Sequence, residues 1–109
     1  MAYLPVKNGE YQNIVLMTDF LARMRGFLEL EKLKKYKFSP QLNGYEITFE
    51  YKNSETRIDI ERKKNLFKKS IKITAEIKSS DGETVRKEFK TKSSEENEAA
   101  MRQIIADCR

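Results

Sequence analysis

Four carboxylates, Glu46, Glu50, Asp59 and Glu61, recur at alternate positions of two neighbouring segments. Carboxylates brought together in this way can act as the acid and base of a glycosidase-type site or hold a hard cation. Little else in the chain would help them. It has 109 residues, no histidine, one cysteine and four isolated glycines, Gly9, Gly26, Gly44 and Gly82. That composition excludes histidine relays, Cys/His zinc sites, an internal disulfide and a glycine-rich phosphate loop. A hairpin would also bring Glu46 nearly opposite Glu61, where like charges repel. We therefore read these acids as the polar face of a sheet and expect no catalytic residue, no cofactor and no metal. Cys108 sits on an apolar helical stripe with no motif to activate it, so it reads as a core residue. Met17 and Met24, at helical spacing, read the same way.

Positive charge is the other chemical resource. The formal net charge is +5. Residues 1–61 hold nine basic and nine acidic groups, whereas residues 62–92 hold eleven and four. Within that second stretch, Arg62, Lys63, Lys64, Lys68 and Lys69 surround Leu66 and Phe67. Such a basic loop can neutralise phosphates while Phe67 stacks on a base, which makes it a candidate nucleic-acid site. The plainer reading has Leu66 and Phe67 closing the end of the core over solvated lysines.

The elements that would position these groups follow from periodicity. From Ile14 to Leu28, Ile14, Leu16, Met17, Phe20, Leu21, Met24, Phe27 and Leu28 share one side of a helix. Thr18, Asp19, Ala22 and Arg25 take the other side, with Asp19 one turn from Arg23. Residues 1–10 read as an extended lead-in, and Gly26 as a bend or an end. Beyond Gly26 the choice is between a helix continuing to Ser39-Pro40 and a strand formed by Leu28, Leu30, Tyr36 and Phe38; the run of good helix formers favours the helix. After Asn43-Gly44 the period becomes two. Tyr45, Ile47, Phe49 and Tyr51, then Ile58 and Ile60, make a hairpin about Asn53-Ser54, with Phe49 opposite Ile58, Ile47 opposite Ile60 and Glu50 opposite Arg57. In a second hairpin a three-residue Ser80-Asp81-Gly82 loop sets Ile77 against Val85 and Ile73 against Phe89, with Gly82 left-handed. Ser93 and Glu96 form a capping-box pattern before a helix bearing Ala100, Met101, Ile104, Ile105 and Cys108.

The expected fold is a single α+β domain over residues 1–109, a two-layer sandwich of helix, four antiparallel strands in two hairpins, and helix. Both helices cover one sheet face. The other face presents Glu46, Glu50, Arg57, Asp59 and Glu61 from the first hairpin and Lys72, Lys78, Arg86, Lys90 and Lys92 from the second. It lacks the aromatics that sheets use to stack bases, since Tyr45, Phe49, Tyr51 and Phe89 have the opposite parity. A half-acidic, half-basic face suits a protein partner with its own charge pattern. The expected function is a small noncatalytic protein-binding module, such as an inhibitor, immunity-type or adaptor protein, acting through this face or an edge strand. Its candidate contact residues are Arg57, Glu61, Lys72 and Arg86. Nucleic-acid binding by residues 62–92 is the alternative. A second copy is a further candidate partner through the off-stripe Val15, Leu30 and Leu33. With no apolar run long enough to span a bilayer and no secretory signature, no membrane partner is expected and the default compartment is the cytoplasm.

Overall fold

The computed structural model describes residues 8–62 and 70–108, with side chains in the first helix described from Asn13 onward. The first helix, α1 (Asn8–Leu30), starts earlier than expected, so residues 8–10 belong to it and not to an extended lead-in. It buries Leu16, Met17, Phe20, Met24 and Leu28. These positions recur at three or four residues, so they lie on one side of the helix. Ile14, counted on that stripe, is instead exposed. Gly26 does not end the helix. It lies on the exposed side with open space around it, and costs only its intrinsic propensity, about 1 kcal/mol.

The helix stops at Leu30 and does not run on to Ser39. Lys32 adopts φ 57°, its N–H donates to the Glu29 carbonyl at 3.0 Å, and the Leu33 N–H reaches back to the Leu28 carbonyl at 3.0 Å. These are the paired bonds of a Schellman motif, in which an apolar residue after the left-handed position packs back on the last helical turn. Leu33 fills that place, half-buried against the core. The left-handed residue is a lysine, where glycine or asparagine would have marked the stop in the sequence.

In place of further helix the chain enters a fifth strand, β1 (Tyr36–Gln41). The remaining strands are β2 (Gly44–Tyr51), β3 (Ser54–Arg62), β4 (Ile71–Ser79) and β5 (Thr84–Thr91). They form one antiparallel sheet in the order β1-β2-β3-β4-β5. β1 is held from below by Arg25, whose guanidinium lies 4.8 Å from the centre of the Phe38 ring.

The first hairpin turns on Lys52 and Asn53, one residue earlier than expected, because Ser54 is drawn into β3. The Ser54 hydroxyl donates to the Tyr51 carbonyl at 2.8 Å, and Lys52 takes φ 57°. The pairing therefore shifts by two residues. Ile47 lies opposite Ile58, Tyr45 opposite Ile60 and Phe49 opposite Thr56, in place of the expected Phe49–Ile58 and Ile47–Ile60 pairs. A shift of two keeps every side chain on its face. At the other end of β2, Gly44 is needed for a close approach, since a Cβ there would lie 1.7 Å from the Ile60 carbonyl oxygen. The second hairpin has the expected three-residue loop, with Ile77 opposite Val85, Ile73 opposite Phe89 and Gly82 at φ 95°.

The second helix, α2 (Ser94–Asp107), is capped by Ser93, whose hydroxyl accepts from the Glu96 N–H at 3.2 Å. It packs beside α1 on the same side of the sheet. The core lies between the helices and Ile47, Phe49, Ile58, Ile60, Ile71, Ile73, Ala75 and Ile77, with Tyr45 and Phe89 half-buried at its margins. Cys108 is buried as expected, its thiol 3.3 Å from the Thr56 hydroxyl. No helix among the described residues is long and apolar enough to cross a membrane.

Candidate protein-binding face

Alternation along each strand sends one set of side chains into the core and the other to solvent. The strand register arranges the solvent set in rows. One row runs Lys37, Thr48, Arg57, Glu76, Arg86; the next runs Ser39, Glu46, Asp59, Thr74, Glu88; a third runs Gln41, Gly44, Glu61, Lys72, Lys90. Among the described residues this face carries no aromatic side chain. Its β2–β3 half holds Glu46, Glu50, Glu55, Asp59 and Glu61 around Arg57. Its β4–β5 half holds Lys72, Lys78, Arg86 and Lys90 around Glu76 and Glu88.

All four candidate contact residues are on this face, in two groups. Arg57 and Arg86 flank Glu76 in one row, and Glu61 lies directly opposite Lys72 in another. Glu50 does not face Arg57; it faces Glu55, and Arg57 faces Thr48. Glu46 likewise meets Asp59, not Glu61. The opposed Glu46 and Asp59 are tolerated because Arg57 reaches both, with Nη2 3.2 Å from an Asp59 oxygen and Nε 3.8 Å from a Glu46 oxygen. The Asp59 charge, its hydrogen bond and the Glu46 charge hold the guanidinium above its ordinary pKa. Lys72 bonds Glu88 at 2.6 Å, and that bond with the Glu88 charge raises the ammonium pKa. Both cations are solvent-facing, and such pairs add little to stability. Their effect is to fix which charge stands where.

An open depression of ≈ 540 Å³ lies toward the β1 side of the face. Thr48 lines it together with Lys35, Lys37, Arg57 and Lys78 and the acids Glu50, Glu55 and Glu76; Tyr36, Phe49 and Thr56, whose parity is that of the core side, also border it. Among the described residues no three His, Cys, Asp or Glu side chains are grouped to hold a metal ion.

Of the alternative set, Lys63, Lys64, Phe67, Lys68 and Lys69 lie outside the described residues. Arg62, at the end of β3, has the parity of Ile58 and Ile60, so it stands on the helix side opposite Ile71 and is half-buried. The off-stripe apolar residues do not form one patch. Leu33 packs on the core, while Val15 and Leu30 are exposed but about 22 Å apart along α1.

A group the sequence reading missed joins the two helices. Asn97, fully buried, donates to the Leu16 carbonyl at 2.9 Å and to Asp19 at 3.0 Å, and accepts from the Thr91 hydroxyl. Asp19 also accepts from Arg23 at 3.0 Å and from Ser94 at 2.9 Å. It therefore sits against α2 and not on an outer polar side. The signal in the sequence was a polar Asn97 in phase with Ala100, Ile104 and Cys108.

A meander of five strands under two helices, with one face of divided charge, is an α+β two-layer sandwich with an open sheet. Comparison with models of protein families, with curated proteins and with solved structures finds no match.

Proposed function

We propose that this chain is a small noncatalytic protein-binding module that acts by covering a partner with its open sheet face. What supports this reading is the division of that face into an acidic β2–β3 half and a basic β4–β5 half, with no aromatic side chain on it among the described residues. Charges fixed in rows favour a partner carrying the complementary pattern and penalise others, which sets encounter rate and register. Inhibitor, immunity-type and adaptor proteins work in this way, by occlusion, and need no chemistry of their own.

The test is affinity capture from the native host with and without nuclease, followed by the variants Arg57→Glu, Glu61→Lys, Lys72→Glu and Arg86→Glu measured against whatever protein is captured. A partner retained after nuclease is expected, weakened about tenfold or more by reversals at the centre of the interface. If nuclease releases everything, or all four reversals leave affinity unchanged, the reading fails. The charge excess of residues 62–92 supports the second reading, nucleic-acid binding, and nuclease-sensitive capture would favour it.

A further inference from the structure

Among the described residues no further strand covers either edge of the sheet, and the two edges are not equivalent. On β1, the Glu50 N–H bonds the Lys35 carbonyl, so in that register the odd-numbered residues face β2, and Tyr36, Phe38 and Pro40 turn their backbone groups outward. Pro40 has no N–H to offer, a common block on edge pairing. On β5, the Ser79 N–H bonds the Glu83 carbonyl, so the odd-numbered residues again face inward. Thr84, Arg86, Glu88 and Lys90 turn outward, and each has both its donor and its acceptor. Charged residues on an edge usually prevent pairing. On β5 the charges alternate in sign, and that changes the outcome for one partner.

We propose that β5 pairs antiparallel with β5 of a second copy about a two-fold axis at Lys87, joining the two sheets into one. Three symmetric registers bring the outward backbone groups of the strand centre together. Centred on Arg86, the register opposes Arg86 to itself. Centred on Glu88, it opposes Glu88 to itself and Arg86 to Lys90. Centred on Lys87, it sets Arg86 opposite Glu88 on both sides of the axis and Thr84 opposite Lys90, with every hydrogen-bonding group in step. Among the open-face side chains, cross-strand charge complementarity thus favours the register centred on Lys87.

The helix side of the same register is also matched. Val85, 37% exposed although Ile77 beside it is buried, would face the half-buried Phe89 of the other copy. The two Lys87 side chains would face each other across the axis. Each is already held by its own Asp107 at 2.6 Å, which offsets their repulsion. Main-chain bonds supply the affinity in this mode of association. A single strand pair buries less than a typical stable interface, so the dimer should be reversible, in the micromolar range or weaker.

Sedimentation velocity from micromolar to millimolar concentration tests this, with circular dichroism confirming that each variant is folded. The wild-type chain should dimerise reversibly. Arg86→Glu and Glu88→Arg should each weaken dimerisation about tenfold or more, because each opposes like charges twice. The double exchange R86E/E88R restores opposite charges across the axis and should recover most of the loss. Amide exchange at Arg86, Glu88 and Lys90 should slow as concentration rises, while that at Tyr36 and Phe38 should not change. A chain that stays monomeric to millimolar concentration overturns the proposal, as does a double exchange no better than the singles or protection that appears on β1 instead. Arg86 belongs to both the dimer edge and the sheet face, so the separating variant is Arg57→Glu, two strands away from β5, which should leave dimerisation unchanged whatever it does to partner binding.

Discussion

Asp19 shows how much one carboxylate depends on its surroundings. Partial burial disfavours its charge, but hydrogen bonds from Asn97, Arg23 and Ser94 and the Arg23 charge outweigh that burial, so the carboxyl ionises below its ordinary range. A carboxyl with a depressed folded pKa contributes stability that is fully present above its unfolded pKa and is lost as pH falls through the folded one. Urea titrations at neutral pH and at about pH 3 should therefore show a fall in stability, part of which is absent in Asp19→Asn. At neutral pH that variant should lose about 1.5 to 3 kcal/mol, the usual range for a hydrogen bond to a charged group. An unchanged acid dependence would mean that Asp19 is not the group coupling α1 to α2.

At the scale of elements, the end of α1 rests on the left-handed Lys32. An L-residue in that conformation costs about 1 to 2 kcal/mol that glycine avoids. Lys32→Gly should therefore raise stability, by about 1 kcal/mol once the greater freedom of the unfolded glycine is subtracted. Thermal or urea denaturation measures this directly, and a destabilised variant would contradict the capping geometry. At α2 the problem is reversed. Its last turn carries no basic residue and ends in Asp107, a charge that the helix dipole disfavours there. Lys87 supplies the missing cation from the neighbouring strand.

For the molecule as a whole, charge placement separates the two functional readings. Replacing Lys63, Lys64, Lys68 and Lys69 together by Glu should leave the affinity for a captured protein partner mostly intact. If the chain worked on nucleic acid, the same change should abolish binding and flatten the salt dependence by about 0.7 to 0.9 for each phosphate no longer neutralised. Filter binding to single-stranded and duplex DNA and RNA at about 50 and 200 mM salt decides between them. Submicromolar binding at the higher salt that vanishes in the quadruple variant would reverse the order of the two readings.

Local chemistry was enough to place most of the fold. The helical stripes, the two-residue alternation of β2 to β5, the Ser80-Asp81-Gly82 loop and the Ser93 cap depend on neighbours a few residues apart, and all were legible in the sequence. So was the membership of the open face, because parity alone assigns Arg57, Glu61, Lys72 and Arg86 to it. The pairings across that face were not. Periodicity of two cannot distinguish a hairpin register from one shifted by two residues, so whether Glu50 met Arg57 or Glu55 depended on the Ser54 hydroxyl and on Lys52 accepting a left-handed turn. The end of α1 was hidden for a related reason, and with it β1, a strand through Tyr36 and Phe38 that the sequence offered only as the alternative to a longer helix. Lysine is a good helix former, and only the packing of Leu33 against the core and of Phe38 against Arg25 outweighs that preference. Asn97 reads locally as a polar interruption of an apolar stripe. Tertiary structure makes it a buried junction, because α1 and β5 bring Asp19, the Leu16 carbonyl and Thr91 within hydrogen-bonding reach.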